Sequence, residues 1–203
     1  MPSMEKNVYE FEISLKGIEP KIWRKIQVPE DYTFFYFSQV INNAIGWSGH
    51  PIHLHRFEMN NPETDSPEII GEDPAATDSS STLDERDTAI KDLFVDSDSR
   101  AIFIYDLGCH WEHDVKLTRI LPEIPGKTYP VCIGGERACP SEHCDGFEEY
   151  QELLDKKAKP KDELTEEEER QLDVCYMGDD FDPEFFDPDD VDLIAVHDWD
   201  DWD

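Results

Sequence analysis

From Tyr9 to Leu15 the side chains alternate without a break: Tyr9, Phe11, Ile13 and Leu15 are apolar, and Glu10, Glu12 and Ser14 between them are polar. A strand points successive side chains to opposite faces, so this pattern calls for a strand with one buried face and argues against a helix. Gly17 closes the run. Past Glu19-Pro20, Lys21 to Val28 reads as a second strand stopped by Pro29, and the short connection predicts an antiparallel pair. The period then changes. Phe34, Phe37, Val40, Ile41, Ala44 and Ile45 recur at spacings of three and four, which predicts an amphipathic helix ending near Gly46.

Further along, strands are expected at Ile52 to Met59, Arg100 to Leu107 and Trp111 to Leu121, the last two joined by Gly108-Cys109-His110. In the last strand Trp111, His113, Val115 and Leu117 share one face. Thr88 to Phe94 predicts one or two helical turns, and Phe147 to Lys157 a helix with Asp145 or Gly146 at its start. Thr165, three residues before Glu168, is a capping-box pattern opening a helix that runs to about Tyr176. Asn60 to Asp87 and Pro122 to Gly146 read as loops. The expected fold class is α+β: an antiparallel or mixed sheet with helices packed on one side, a long acidic loop and an acidic C-terminal segment. One domain is expected over 1–195, with 60–87 a flexible insertion and 196–203 an acidic, Trp-containing tail.

Charge narrows the function. Lys and Arg number 18 against 49 Asp and Glu, a net of −31. Nucleic acids and anionic membranes both attract basic proteins, so direct binding to either is not expected. No stretch reaches the roughly 18–20 apolar residues of a membrane span, and the N-terminus lacks a secretory pattern, so an intracellular, cytoplasmic protein is expected. Five cysteines form an odd set that suits a reducing compartment. From Gln151 onward there are 21 acids and 5 bases, interleaved with Phe181, Phe185, Phe186, Trp199 and Trp202. Such a segment fits either docking onto the core or recognition of a basic partner.

Several short motifs occur in a fixed order: Lys21-Ile22-Trp23-Arg24, Gly46-Trp47, His53-Leu54-His55, Tyr105-Asp106-Leu107-Gly108 with Trp111 and His113, Gly135 to Pro140 with Glu142, and Phe181 to Asp187. Together they resemble the plasmid pRiA4b ORF-3-like family over about residues 7 to 195. The resemblance implies a single α+β domain, and members of that family carry a resolvase-like label. Where the family commonly has Tyr-Asp-Phe-Gly-Asp, this chain has Leu107 and Cys109, so a thiol stands where an acid is usual.

The motifs supply a candidate functional cluster of His53, His55, Asp106, His113, Glu136 and Glu142. On a strand, His53 and His55 would share a face and could reach a common ion; the alternative is histidines bonded to backbone or to nearby carboxylates. His113 reads by default as a core histidine. Cys139 and Cys144, four apart, fit the outer limit of zinc-ligand spacing and with His113 form a candidate zinc site; small buried cysteines are the alternative. Trp23-Arg24-Lys25 reads as a strand face paired to acids. The expected function is a binding or adaptor module for a basic partner. The alternative is a metal- or thiol-dependent enzyme using His53, His113 and Cys139. Resolvase-like recombination ranks last, because it needs a basic DNA-binding surface.

Overall fold

A computed structural model describes residues 6–47, 53–76 and 82–193. The alternating N-terminal run forms β1 (Asn7–Leu15), which pairs with β2 (Trp23–Pro29) on one side and β6 (Trp111–Pro122) on the other. Phe11, Ile13 and Leu15 are buried, as the period-2 pattern requires. Between β2 and the next strand, α1 (Phe34–Ile45) lies on this apolar face. Thr33 caps it by accepting the Tyr36 N–H, and Gly46, at φ 90°, ends it by donating to the carbonyls of Asn42 and Asn43.

β3 (His55–Asn60), β4 (Pro67–Gly71), β5 (Arg100–Tyr105) and β7 (Val131–Glu136) complete a seven-stranded sheet in the order β4-β3-β5-β6-β1-β2-β7. Every pairing is antiparallel, which resolves the choice between antiparallel and mixed. Phe11, Phe34, Phe37, Phe57, Phe94 and Phe103 are fully buried between sheet and helix. Phe37 lies 4.6 Å from Phe11 and 5.7 Å from Phe57, ring centre to ring centre. Each such ring contributes about 1.5–3 kcal/mol relative to exposure.

Two of the expected loops contain strands. Inside 60–87, β4 pairs with β3 through Phe57 and Ile70, and its outer side is bonded to Leu83. Pro67–Gly71 within this stretch is therefore a strand of the sheet and not loop; residues 77–81 lie outside the described residues. Inside 122–146, β7 forms the opposite edge. Both lie at the ends of the sheet and each buries one side chain, Ile70 in β4 and Cys132 in β7, so neither carries a long apolar alternation. The short α2 (Ile90–Leu93), α3 (Gly146–Lys157) and α4 (Glu166–Val174) lie where periodicity placed them, and the Thr165/Glu168 capping box is formed.

The acidic C-terminal segment docks onto the core as far as the structure describes it. Phe181, Phe186 and Val191 pack against the core and Leu193 is buried within it. Phe185 stays exposed. Trp199, Trp202 and the tail at 196–203 lie outside the described residues. Among the described residues no helix is long and apolar enough to cross a membrane.

Candidate functional site

The sequence motifs converge where the C-terminal end of α1 meets the β5–β6 connection. The left-handed turn at Gly46 directs Trp47 back over the sheet. Its indole N–H donates to the Pro140 carbonyl at 2.8 Å, and its ring stacks on Tyr105 at 5.3 Å and meets Trp111 and His113, each at 5.4 Å. Tyr105 in turn donates its hydroxyl to Glu142. Trp47 and Tyr105 thus tie the 137–145 loop to the sheet.

Asp106 leaves β5 in the left-handed region at φ 51°, a conformation that aspartate adopts more readily than most residues. Its Oδ2 lies 2.9 Å from His53 Nδ1, and its Oδ1 accepts the N–H groups of Gly108 and Cys109. Burial pushes this carboxyl up. The Cys109 thiol, the two N–H groups and His53 outweigh that effect and hold it below the usual carboxylate range. Cys109 feels the reverse: burial and the carboxylates of Asp106 and Asp145 push its thiol up to about 12. The thiol that replaces the usual acid is therefore a protonated hydrogen-bond donor at neutral pH.

His53 and His55 do not share a site. His53 precedes β3 instead of lying on it, so the period-2 argument does not apply. His55 Nε2 meets Glu85 Oε2 at 2.9 Å, and the His55 ring lies against Phe103. Burial lowers the His55 pKa, but the bond and charge of Glu85 outweigh it, and the net shift is upward. His113 is the core histidine of its default reading. It is fully buried, with Nδ1 3.2 Å from the Phe103 carbonyl, and burial lowers its pKa to about 4. Its Nε2 has no hydrogen-bond partner among the described residues.

The zinc arrangement is not formed. Among the described residues no group of three or more His, Cys, Asp or Glu side chains could hold a metal ion. Cys139 accepts a bond from Arg24 Nη2 at 3.0 Å, Cys144 bonds to the Cys175 thiol, and His113 faces a backbone carbonyl. Cys139 and Cys144 diverge because the intervening turn, closed by Cys144 N–H on the Ser141 carbonyl, directs Cys144 toward α4.

Arg24 is the residue that sequence reasoning misjudged most. It was expected on a strand face paired to acids, yet it is buried, and its guanidinium donates to the carbonyls of Ala44, Trp23 and Glu136 and to Cys139. Phe186 covers it, with the Cζ atom 3.7 Å from the ring centre. Glu136 contributes that carbonyl, while its carboxylate accepts the Trp23 indole N–H at 3.2 Å. Arg137, buried and at φ 67°, bridges the Pro20 carbonyl and Glu184. The signal for both arginines was in the motifs, each flanked by strand residues. Their partners, carbonyls and the distant Phe186 and Glu184, left no mark on local spacing.

The model of the plasmid pRiA4b ORF-3-like protein matches residues 7–190, a span that contains every group just described. The chain belongs to this family. Among proteins similar to this family member is y4hQ of Sinorhizobium fredii, titled an uncharacterized protein. It is 27% identical over 178 residues, covering 87% of this chain and 84% of that one. The crystal structure of MM3350 from Methanosarcina mazei Go1, titled a protein of unknown function, aligns with a TM-score of 0.81 at 38% identity. That alignment covers 93% of this chain and 99% of the other. The family assignment thus supports the α+β fold and the set of motifs, and carries no activity with it.

Proposed function

We propose that the protein is a binding module whose C-terminal surface recognises a basic protein partner. One observation carries this reading. From Asp145 to Asp192 there are 20 Asp and Glu against 5 Lys and Arg, and each of those five bases is already engaged inside the molecule. Lys156 pairs with Glu152, Lys159 with Glu168, Lys161 with Asp179 and Arg170 with Glu167, while Lys157 donates to the Gly178 carbonyl. The surplus carboxylates face solvent on a segment fixed by its apolar residues. A fixed, single-sign surface steers an oppositely charged partner and repels nucleic acid.

The alternative of a metal- or thiol-dependent enzyme has less support. The described side chains offer no three-ligand group, and the Cys109 and Cys139 thiols are pushed up to about 12 and about 11, so neither is a thiolate at neutral pH. The His53–Asp106 pair remains suited to holding or moving a proton, which is the strongest feature on that side.

The test is calorimetric titration of the full chain with a synthetic peptide of alternating Lys and Arg, across a range of salt concentrations. Saturable binding that weakens steeply with salt is expected, and amide replacement of Asp187, Asp189, Asp190 and Asp192 should weaken it further. Absence of binding at low salt, or binding indifferent to salt, would overturn the proposal.

A further inference from the structure

Cys144 and Cys175 are the two thiols of the chain that bond to each other. The others are engaged elsewhere: Cys139 accepts from Arg24, Cys109 lies against Asp106 and Asp145, and Cys132 donates to the Gly134 carbonyl at 3.6 Å. Cys144 lies near the end of the 137–145 loop and Cys175 caps the end of α4. Both are buried, at 1% and 3% exposure.

Several contacts in one register bring these segments together. The Cys144 thiol donates to the Cys175 sulfur, and the Cys175 thiol donates at 3.7 Å to the carbonyl of His143, the residue joined to Cys144. Next to the two thiols, the rings of His143 and Tyr176 meet at 5.2 Å. A disulfide needs two side chains that converge from neighbouring backbones, and this pair does so. Each thiol is also one residue from an exposed side chain, His143 on one segment and Tyr176 on the other.

We infer that Cys144 and Cys175 form a reversible modification site, a dithiol that a hydroperoxide converts into a disulfide joining the 137–145 loop to α4. The inference is independent of the basic-partner reading. In the first step the Cys175 sulfur attacks a peroxide oxygen; the O–O bond breaks, Cys175 becomes a sulfenic acid, and its proton leaves on the alcohol or water released. In the second, the Cys144 sulfur attacks that sulfenic acid; the S–S bond forms, the S–O bond breaks, and water leaves with the Cys144 proton. The peroxide is reduced and the two thiols are oxidised, and exchange with a small dithiol restores them.

The surroundings set this order. Burial pushes both thiols up, so the pair persists as a dithiol at neutral pH. At Cys175 the Cys144 bond and Lys156 act against burial and Glu149. At Cys144 the charge and bond of Cys175, and then Glu149, add to burial, against a smaller effect of the Ser141 backbone. Cys175 is therefore the thiol that ionises first, and Cys144 resolves the sulfenic acid.

In the experiment the reduced full chain is treated with excess hydrogen peroxide and its peptides are mapped by mass spectrometry without reduction. A cross-linked Cys144/Cys175 peptide is expected, with two of the five free thiols lost and both recovered in dithiothreitol. The Tm of the oxidised chain should exceed that of the reduced chain by at least about 4 °C, because the bridge closes a long loop. Under the same treatment Cys144→Ser should hold a sulfenic acid at Cys175, captured by dimedone, whereas Cys175→Ser should leave Cys144 a thiol. Capture at Cys144 in Cys175→Ser would overturn the assigned order. Both thiols still free after excess peroxide, or either joined to another cysteine, would overturn the site itself; that map is read on the parent chain and does not depend on the variants folding.

Discussion

The two ends of this molecule handle charge in opposite ways. Around Trp47 and Arg24, charged and polar groups are drawn inside and held by fixed neutral partners: Arg24 by three carbonyls and a thiol, His113 by the Phe103 carbonyl. Along 161–193, buried apolar side chains such as Leu172, Met177 and Leu193 fix the chain, while its carboxylates face outward. The first arrangement makes charge part of the structure, so removing it should be costly. The second uses apolar groups for structure and leaves charge available, so removing charge there should alter binding and hardly affect folding.

The largest expected effect is at Arg24. Truncation by Arg24→Ala leaves the carbonyls of Ala44, Trp23 and Glu136 without their buried donor and strips Phe186 of its cover. A buried acceptor left unsatisfied costs about 1–3 kcal/mol, so a loss of about 3–5 kcal/mol is expected in urea unfolding. Neutralising Glu166→Gln on α4 should stay within about 0.5 kcal/mol, as exposed substitutions do. If both variants unfold at the parent's midpoint, the contrast between the two ends is wrong.

Next in size is the acid response of His113. Its folded pKa of about 4 lies below the ordinary histidine value of about 6.5, so the unfolded chain binds its proton first as pH falls. The stability this buried neutral ring permits is intact above about pH 6.5, declines below it, and is lost by about pH 4, a change of about 3 kcal/mol. Unfolding free energies measured across this window should fall for the parent and flatten for His113→Phe. Acid should therefore loosen the aromatic end.

How much of this was legible beforehand depends on the range of the interaction that decides each feature. β1, β2, α1 and the β5–β6 hairpin follow from local periodicity, since each has one apolar face. β4 was missed because Ile69 and Ile70 lie among Pro, Glu and Ser, and β7 because Gly134 and Gly135 dilute its apolar pattern. Gly135 has no room for a side chain, since a Cβ there would come within 2.5 Å of Phe186 and 2.7 Å of the Trp23 carbonyl. That requirement is tertiary. Order of motifs located the candidate site, yet spacing misled about its chemistry: Cys139 and Cys144 suggested a shared ion, whereas one serves Arg24 and the other Cys175.

The smallest effect expected is at His55, which lies between the two regimes: a titratable side chain, largely buried, paired to a carboxylate from another segment. Glu85 raises its folded pKa above the ordinary value, so the pair stabilises the fold fully below about pH 6.5 and its contribution fades as pH rises through the folded pKa. The sign is opposite to that of His113. His55→Gln should therefore lose stability relative to the parent at pH 6 and approach it at higher pH, whereas His113→Phe should diverge from the parent on the acid side. The local readout is hydrogen exchange at Phe35, whose N–H bonds to the Glu85 carbonyl. Faster exchange there in His55→Gln at pH 6, with β1 amides unchanged, would show that the pair secures the 82–88 segment; equal exchange at both pH values would show that backbone bonding alone holds it.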